Sequence, residues 1–300
     1  MSGWPPITEP LLRERLAMDD GTFAAFIRAT LCALPPRRFT PEVLATALGY
    51  PWERPERSYL LTGSEVEVLD AMAPGRRAAL LAVRAAGPDG APRFPLLAFG
   101  SNGAPATLER KLAHLPAAER RVLVLAGQLR DFDVGAAAHP TGYGALPATL
   151  FASPGTAVRA AVLWVSAAQV TQLCWTELTY RLGRLQDIAF EPDQPTDPVE
   201  DVLTYASRWG VFCPDGHPLA LAAIPAAGRT APALRQEELL DRAARLGLGE
   251  GAEAATLVRA VFEDMGAFSA RAGAALQAAG RPLVSPAWTA WPAGGDSCTA

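Results

Sequence analysis

The chain has 300 residues, half of them hydrophobic, with a formal charge of −4 and a pI near 5.5. That length and apolarity suffice for a full core, in one elaborated domain or two small ones, and exclude disorder of the chain as a whole. No cluster of Lys and Arg makes the basic stripe that nucleic acid or an anionic membrane surface requires, so the expected partner is a small, neutral or mildly charged molecule.

From Leu11 to Leu34 the apolar positions Leu12, Leu16, Phe23, Phe26, Ile27 and Leu31 recur at helical spacing, and Asp20-Gly21-Thr22 offers a break and a new N-cap. This predicts a helical pair closed by Pro35-Pro36. Pro41 to Leu48 is a further short helix, with Thr40 as its cap and Gly49 as its stop. Tyr50 to Arg57 reads as a loop, Val66 to Ala86 as mostly helical with an interruption at Pro74-Gly75, and Gly87-Pro88-Asp89-Gly90 as a turn. Residues 1–90 are therefore expected to form a helical N-terminal segment.

At Phe94 the period changes. Phe94 to Phe99 is a short strand, Gly100-Ser101-Asn102-Gly103 a loop, and Ala106 to Leu115 a helix. Strand-like runs follow at Arg121 to Arg130, Ala148 to Phe151 and Ala157 to Val165, the last two separated by Ser153-Pro154-Gly155. Ala167 to Leu185 returns to helical spacing, and Val202 to Ser207 with Leu219 to Ile224 are candidate closing strands. Gln236 to Leu246 and Ala252 to Ala278 are amphipathic helices, and the Pro-, Trp- and Gly-containing tail from Arg281 to Ala300 is expected to be loosely held. The expected fold class is α+β: a small mixed sheet or barrel over residues 91–226, helices over 227–280 packed on it, and a tail over 281–300.

Cys32, Cys174, Cys213 and Cys298 are too far apart for a zinc-ribbon or thioredoxin pattern, so a reduced cytoplasm is the default expectation. No secretory leader is readable at the N-terminus, and apolar runs such as Ala160 to Val165 fall well short of the roughly 20 residues that span a bilayer. Ser101 lacks a G-x-S-x-G elbow, and His114, His139 and His217 have no spacing that ties them to it, so each histidine reads as a surface or packing residue. Lys111 is the single lysine among 27 basic residues, which reads as the codon bias of a GC-rich genome. Arg208 and Trp209, beside the strand at 202–207, either line a pocket entrance or cover the sheet.

The segment Leu97-Ala98-Phe99-Gly100-Ser101-Asn102 resembles the YGSN loop of the γ-glutamyl cyclotransferase (AIG2-like) family, with phenylalanine in place of the usual tyrosine. Val124 to Phe132 is similar to that family's second strand, and Gly142 to Leu150 to its glycine-rich entry into an A-T-hydrophobic strand. Pro154 to Leu163 resembles its P-G-x-x-V hairpin, and Leu173 to Tyr180 its L-x-x-x-E-x-x-Y pattern. The resemblance covers somewhat under half of the chain, Phe94 to Ala226, and implies a small mixed β-barrel of the cyclotransferase type. It further implies that Glu177 is the catalytic acid/base, and that Phe99, Gly100, Ser101, Asn102, Gly103 and Tyr180 hold the substrate, a γ-glutamyl amide. In such a reaction the substrate's own α-amine attacks its γ-carbonyl, so no metal, cofactor or enzyme nucleophile is needed. The residue types suit the task. A glycine loop between a strand and a helix presents backbone N–H groups to a carboxylate or oxyanion, and a glutamate among Cys174, Trp175 and Leu178 is partly desolvated for proton transfer. The alternative expectation is a non-catalytic binding or interaction module that keeps the same fold.

Overall fold

Asp19 separates the first two helices. α1 (Pro10–Ala17) ends before it, and its carboxylate accepts from the Thr22 amide at 2.9 Å to cap α2 (Asp20–Cys32). The computed structural model describes residues 4–87 and 90–291. Pro88-Asp89 of the expected turn, and the tail from residue 292 with Cys298, lie outside the described residues. Thr40 caps α3 (Pro41–Leu48) as expected, accepting from the Val43 amide at 3.4 Å.

The helix expected from Val66 starts later and is shorter. Tyr59–Thr62 (β1) and Glu65–Val68 (β2) form an antiparallel hairpin, and α4 is confined to Pro74–Ala82. Glu65-Val66-Glu67-Val68 alternates with the period of a strand, and pairing of β1 with residues 121–124 outweighs any local helical preference.

β3 (Phe94–Ala98) and α5 (Pro105–Leu112) follow as expected. Two long strands then form the central ribbon, β4 (Arg121–Ala136) and β5 (Ala148–Val165). The two strands expected between 148 and 165 are thus one. Arg130 pairs with Ala157 and Phe132 with Ala152, so the Pro154-Gly155 turn chemistry serves a bulge. There the Gly155 amide donates to Asp131 Oδ1 at 2.8 Å.

α6 (Ala167–Thr176) is also shorter than its helical spacing suggested, because β6 (Tyr180–Leu185) is a strand paired with β8 (Val202–Ser207); β7 is Phe190–Pro192. The spacing of Tyr180, Leu182 and Leu185 over so short a segment fits either period, and the partner strand decides between them. Short strands follow: β9 (Val211–Phe212), which lies outside the main sheet, and β10 (Ala220–Leu221), β11 (Ala226–Ala227) and β12 (Ala233–Leu234), which complete it.

The C-terminal region holds α7 (Gln236–Leu248), α8 (Ala254–Glu263), α9 (Met265–Phe268) and α10 (Ala274–Ala278). The helix expected from 252 to 278 is broken at Asp264, whose carboxylate accepts from the Ala267 amide at 2.8 Å. The tail expected to be loose is held as far as residue 291. β13 (Gly280–Arg281) pairs with β9, β14 (Trp288–Ala290) pairs with β6, and the Trp288 ring packs directly over Gly183.

The sheet order is β12-β10-β4-β5-β3-β8-β6-β14, with β1 and β7 on β4 and β11 on β5. Parallel pairing of β3 with β8 and of β10 with β12 makes the sheet mixed. The protein is α+β, as expected, but among the described residues the sheet is open rather than a closed barrel. Its outer strands, β10 and β6, are each covered by a short strand from later in the chain, so neither is left to pair with the other. Side-chain alternation sends Leu96 and Leu97 into different cores. One core gathers Leu97, Leu125, Leu150, Leu239 and Leu276; the other gathers Leu12, Tyr59, Leu96, Leu108 and Leu173. Both terminal regions therefore contribute to cores built on the sheet. They also meet each other, because a Cβ on Gly266 of α9 would lie 2.8 Å from Cys32 Cα at the end of α2.

Candidate functional site

Beside the C-terminal end of β3 lies a cavity of about 650 Å³, within the size range of small-molecule sites. Its lining includes Phe99, Gly100, Ser101, Asn102, Glu177 and Tyr180, so six of the seven residues singled out from the sequence share one space. Gly103 is not among the lining residues; its carbonyl accepts the Tyr59 hydroxyl at 2.9 Å.

The loop after β3 is a single 3-10 turn over Ser101–Gly103. The first amides used inside it are those of Gly103 and Ala104, bonded to the Gly100 and Ser101 carbonyls at 3.2 and 2.9 Å. The amides of Ser101 and Asn102 precede that ladder, as the first donors of any helical turn do. Gly100 is required by space. A Cβ there would lie 2.7 Å from Tyr50 Oη and 3.1 Å from Ala148 Cβ.

Glu177 sits at the C-terminal cap of α6 rather than inside a helix. α6 is anchored by a capping box, in which Ser166 Oγ accepts from the Gln169 amide at 3.2 Å and Gln169 Oε1 accepts from the Ser166 amide at 2.9 Å. The fully buried Gln169 also donates to the Glu119 and Arg121 carbonyls, fixing the helix against the start of β4. At its other end, Glu177 Oε1 accepts from Asn102 Nδ2 at 3.0 Å and from Lys111 Nζ at 2.5 Å. Lys111 Nζ also donates to Asn102 Oδ1 at 2.8 Å, closing a triangle of side chains drawn from the loop, α5 and α6. The Lys111 and Glu177 side chains keep only 10% and 14% of their exposure, so the pair is largely shielded from water. The lysine that composition made look incidental is the partner of the candidate base.

Tyrosines line the space beside this triangle. The Tyr50 hydroxyl accepts from the Ala148 amide at 2.9 Å, and the Tyr180 hydroxyl donates to the Ala148 carbonyl at 2.8 Å. Burial pushes the Tyr50 hydroxyl up to about 12 and the Tyr180 hydroxyl well above its ordinary value, the Glu177 charge adding to both, so both stay protonated near neutrality. Burial likewise holds the Cys174 thiol up at about 12, the Tyr205 hydroxyl beside it acting in the opposite sense, so Cys174 offers no thiolate nucleophile.

His139, read from the sequence as surface or packing, lines the cavity at 4% exposure. Its Nδ1 lies 3.4 Å from Ser207 Oγ, while Nε2 is buried without a partner. Burial lowers its pKa to about 3, so the ring is neutral. The ambiguity over residues 208–209 is resolved. Trp209 lines the cavity, its ring tilted against His139 at a centroid distance of 4.6 Å, whereas Arg208 turns to the Arg15 and Met18 carbonyls and covers Phe23. Among the described residues no cluster of His, Cys, Asp or Glu could hold a metal ion, and no helix is long and apolar enough to cross a membrane.

No family model and no curated protein matches the sequence. Among solved structures, a chain named gamma-glutamyl cyclotransferase is similar over 38% of this chain and 66% of its own, just under two thirds, at 20% identity and a TM-score of 0.30. At so low a TM-score the likeness carries no argument.

Proposed function

We propose that the protein is a γ-glutamyl cyclotransferase-like enzyme that releases 5-oxoproline and a free amine from a γ-glutamyl amide, residues 91–226 forming the cyclotransferase-like part. The observation that supports this reading most directly is the triangle of Asn102, Lys111 and Glu177 at one end of the cavity. A loop asparagine and a glutamate 75 residues further on share a hydrogen bond beside the amides of Ser101 and Asn102.

In this reading the substrate's α-carboxylate lies against the loop amides, with Arg110 of α5, another lining residue, as a counter-charge. Held curled, the glutamyl chain brings its α-nitrogen to its γ-carbon. Glu177 takes a proton from the α-ammonium, the freed amine bonds to the γ-carbon, and the γ-carbon–nitrogen bond breaks. Two protons leave the attacking nitrogen in all: one reaches the departing nitrogen through Glu177, and the other protonates the released amine. Lys111 holds the carboxylate in place, and the loop amides stabilise the tetrahedral oxyanion. Phe99 has no hydroxyl, but the hydroxyl of Tyr50 stands against the neighbouring Gly100.

The test is incubation of purified protein with γ-glutamyl amides, following 5-oxoproline by mass spectrometry, with Glu177→Gln as control. Product from the wild type that is lost in the variant is expected; product unchanged in Glu177→Gln would remove Glu177 from the mechanism. One observation favours a second reading, a binding module of the same fold: Glu177 Oε1 is already engaged by both Asn102 and Lys111.

A further inference from the structure

The cavity is much larger than a glutamyl group needs, and part of its wall comes from outside the segment that resembles the cyclotransferases. Ile27 and Leu31 of α2, with Leu34 just beyond its end, recur at i, i+4 and i+7 and line it, as do Met265 and Phe268 of α9, which packs on the end of α2. None of Ile27, Leu31 and Leu34 is fully covered by the fold, and Leu34 keeps 48% of its exposure. Apolar side chains that line a void stay hydrated until something fills it.

This wall is continuous with the Glu177 end. Trp209 lies 6.1 Å from Phe23 of α2 and 4.6 Å from His139, and His139 lies 6.0 Å from Tyr180, three residues after Glu177. Arg37, a cation on the same side, is already engaged with the Gly142 carbonyl at 2.5 Å and stacked over Phe262.

We infer that this apolar half is the subsite for the leaving amine, and that it takes an aryl or arylalkyl amine. The inference rests on the cyclotransferase reading for its chemistry, but binding tests it separately. The expected order of kcat/KM is γ-glutamyl-tyramide at least tenfold above γ-glutamyl-methylamide and γ-glutamyl-alanine, since burying a ring is worth more than a factor of ten in affinity. Leu34→Asp and Ile27→Asp, on side chains that are not fully covered, should erase that preference while leaving methylamide turnover unchanged.

N-acetyltyramine, which has no glutamyl group, is the probe for calorimetric binding. It should bind the wild type and be lost in Leu34→Asp, and N-acetylphenethylamine should behave alike. Equal turnover of all three amides, or a preference that survives both aspartate variants, overturns the subsite even if 5-oxoproline is formed. Absence of turnover with Leu34-dependent binding of N-acetyltyramine upholds the apolar ligand site and overturns the cyclotransferase reading. Absence of both overturns both.

Discussion

Gly100 and Tyr50 are matched to one another. The hydroxyl of Tyr50 occupies the space a side chain at position 100 would take, and it meets the Ala148 amide. Tyr50→Phe leaves that buried N–H without an acceptor, so a loss of about 1–3 kcal/mol in urea unfolding is expected. Gly100→Ala should destabilise as well, by displacing the hydroxyl and Ala148 together. Lys111 admits a sharper test. Lys111→Met leaves a largely buried carboxylate without its counter-charge, and Lys111→Arg keeps the charge but replaces one nitrogen that reaches both Asn102 and Glu177 with a planar fork. Both should lower 5-oxoproline formation at least tenfold, and Lys111→Arg with wild-type rates would show that charge alone suffices. The loop from Phe99 and the glutamate at 177 were legible as motifs. The ion pair was not: a lone lysine is visible in a sequence, but nothing local says which carboxylate, 66 residues away, it meets.

At the scale of elements, two anchors fix what the site stands on. The capping box of Ser166 and Gln169 starts the helix that ends at Glu177, and Ser166→Ala should cost about 1 kcal/mol, read as a lower unfolding midpoint. A larger effect is expected where the chain after β10 returns to β4. There Arg229 meets the fully buried Asp133 carboxylate with two nitrogens, each at 2.8 Å, and also holds the Ile224 carbonyl. Arg229→Leu leaves Asp133 buried and uncompensated, at about 3–5 kcal/mol. A loss below 1 kcal/mol would show that water or relaxation replaces the pair. Strands with β-type alternation and capped helices were legible. The strands at 59–68, within a segment expected to be helical, and at 180–185, read as helix, were not, because their hydrogen-bond partners lie far off in the chain.

Across the whole molecule, His139 couples folding to pH. Its pKa of about 3 in the fold lies below the ordinary imidazole value near 6.5, so the unfolded chain binds the extra proton between those limits. The contribution of the neutral buried ring is therefore complete above pH 6.5. It is lost as pH falls towards 3, at up to about 1.4 kcal/mol per pH unit. Measured by urea unfolding from pH 7 to 4.5, His139→Gln should show a shallower fall than the wild type. Parallel curves would mean that His139 is solvated or already protonated in the fold.

Length, composition and period by themselves determined that the chain forms an α+β core and where most helices start and stop, while the cyclotransferase reading came from the resemblance of five short segments between Leu97 and Tyr180. Those are local properties, written in the spacing of apolar residues and in caps and turns. Only the tertiary structure decided that the sheet stays open, that the tail through residue 291 closes its edge, and that α2 and α9 wall the cavity. It also decided that the single lysine meets Glu177 and that His139 is neutral. Each of these depends on contacts between residues far apart in the chain, which burial and pairing across the sheet select and which no local pattern encodes.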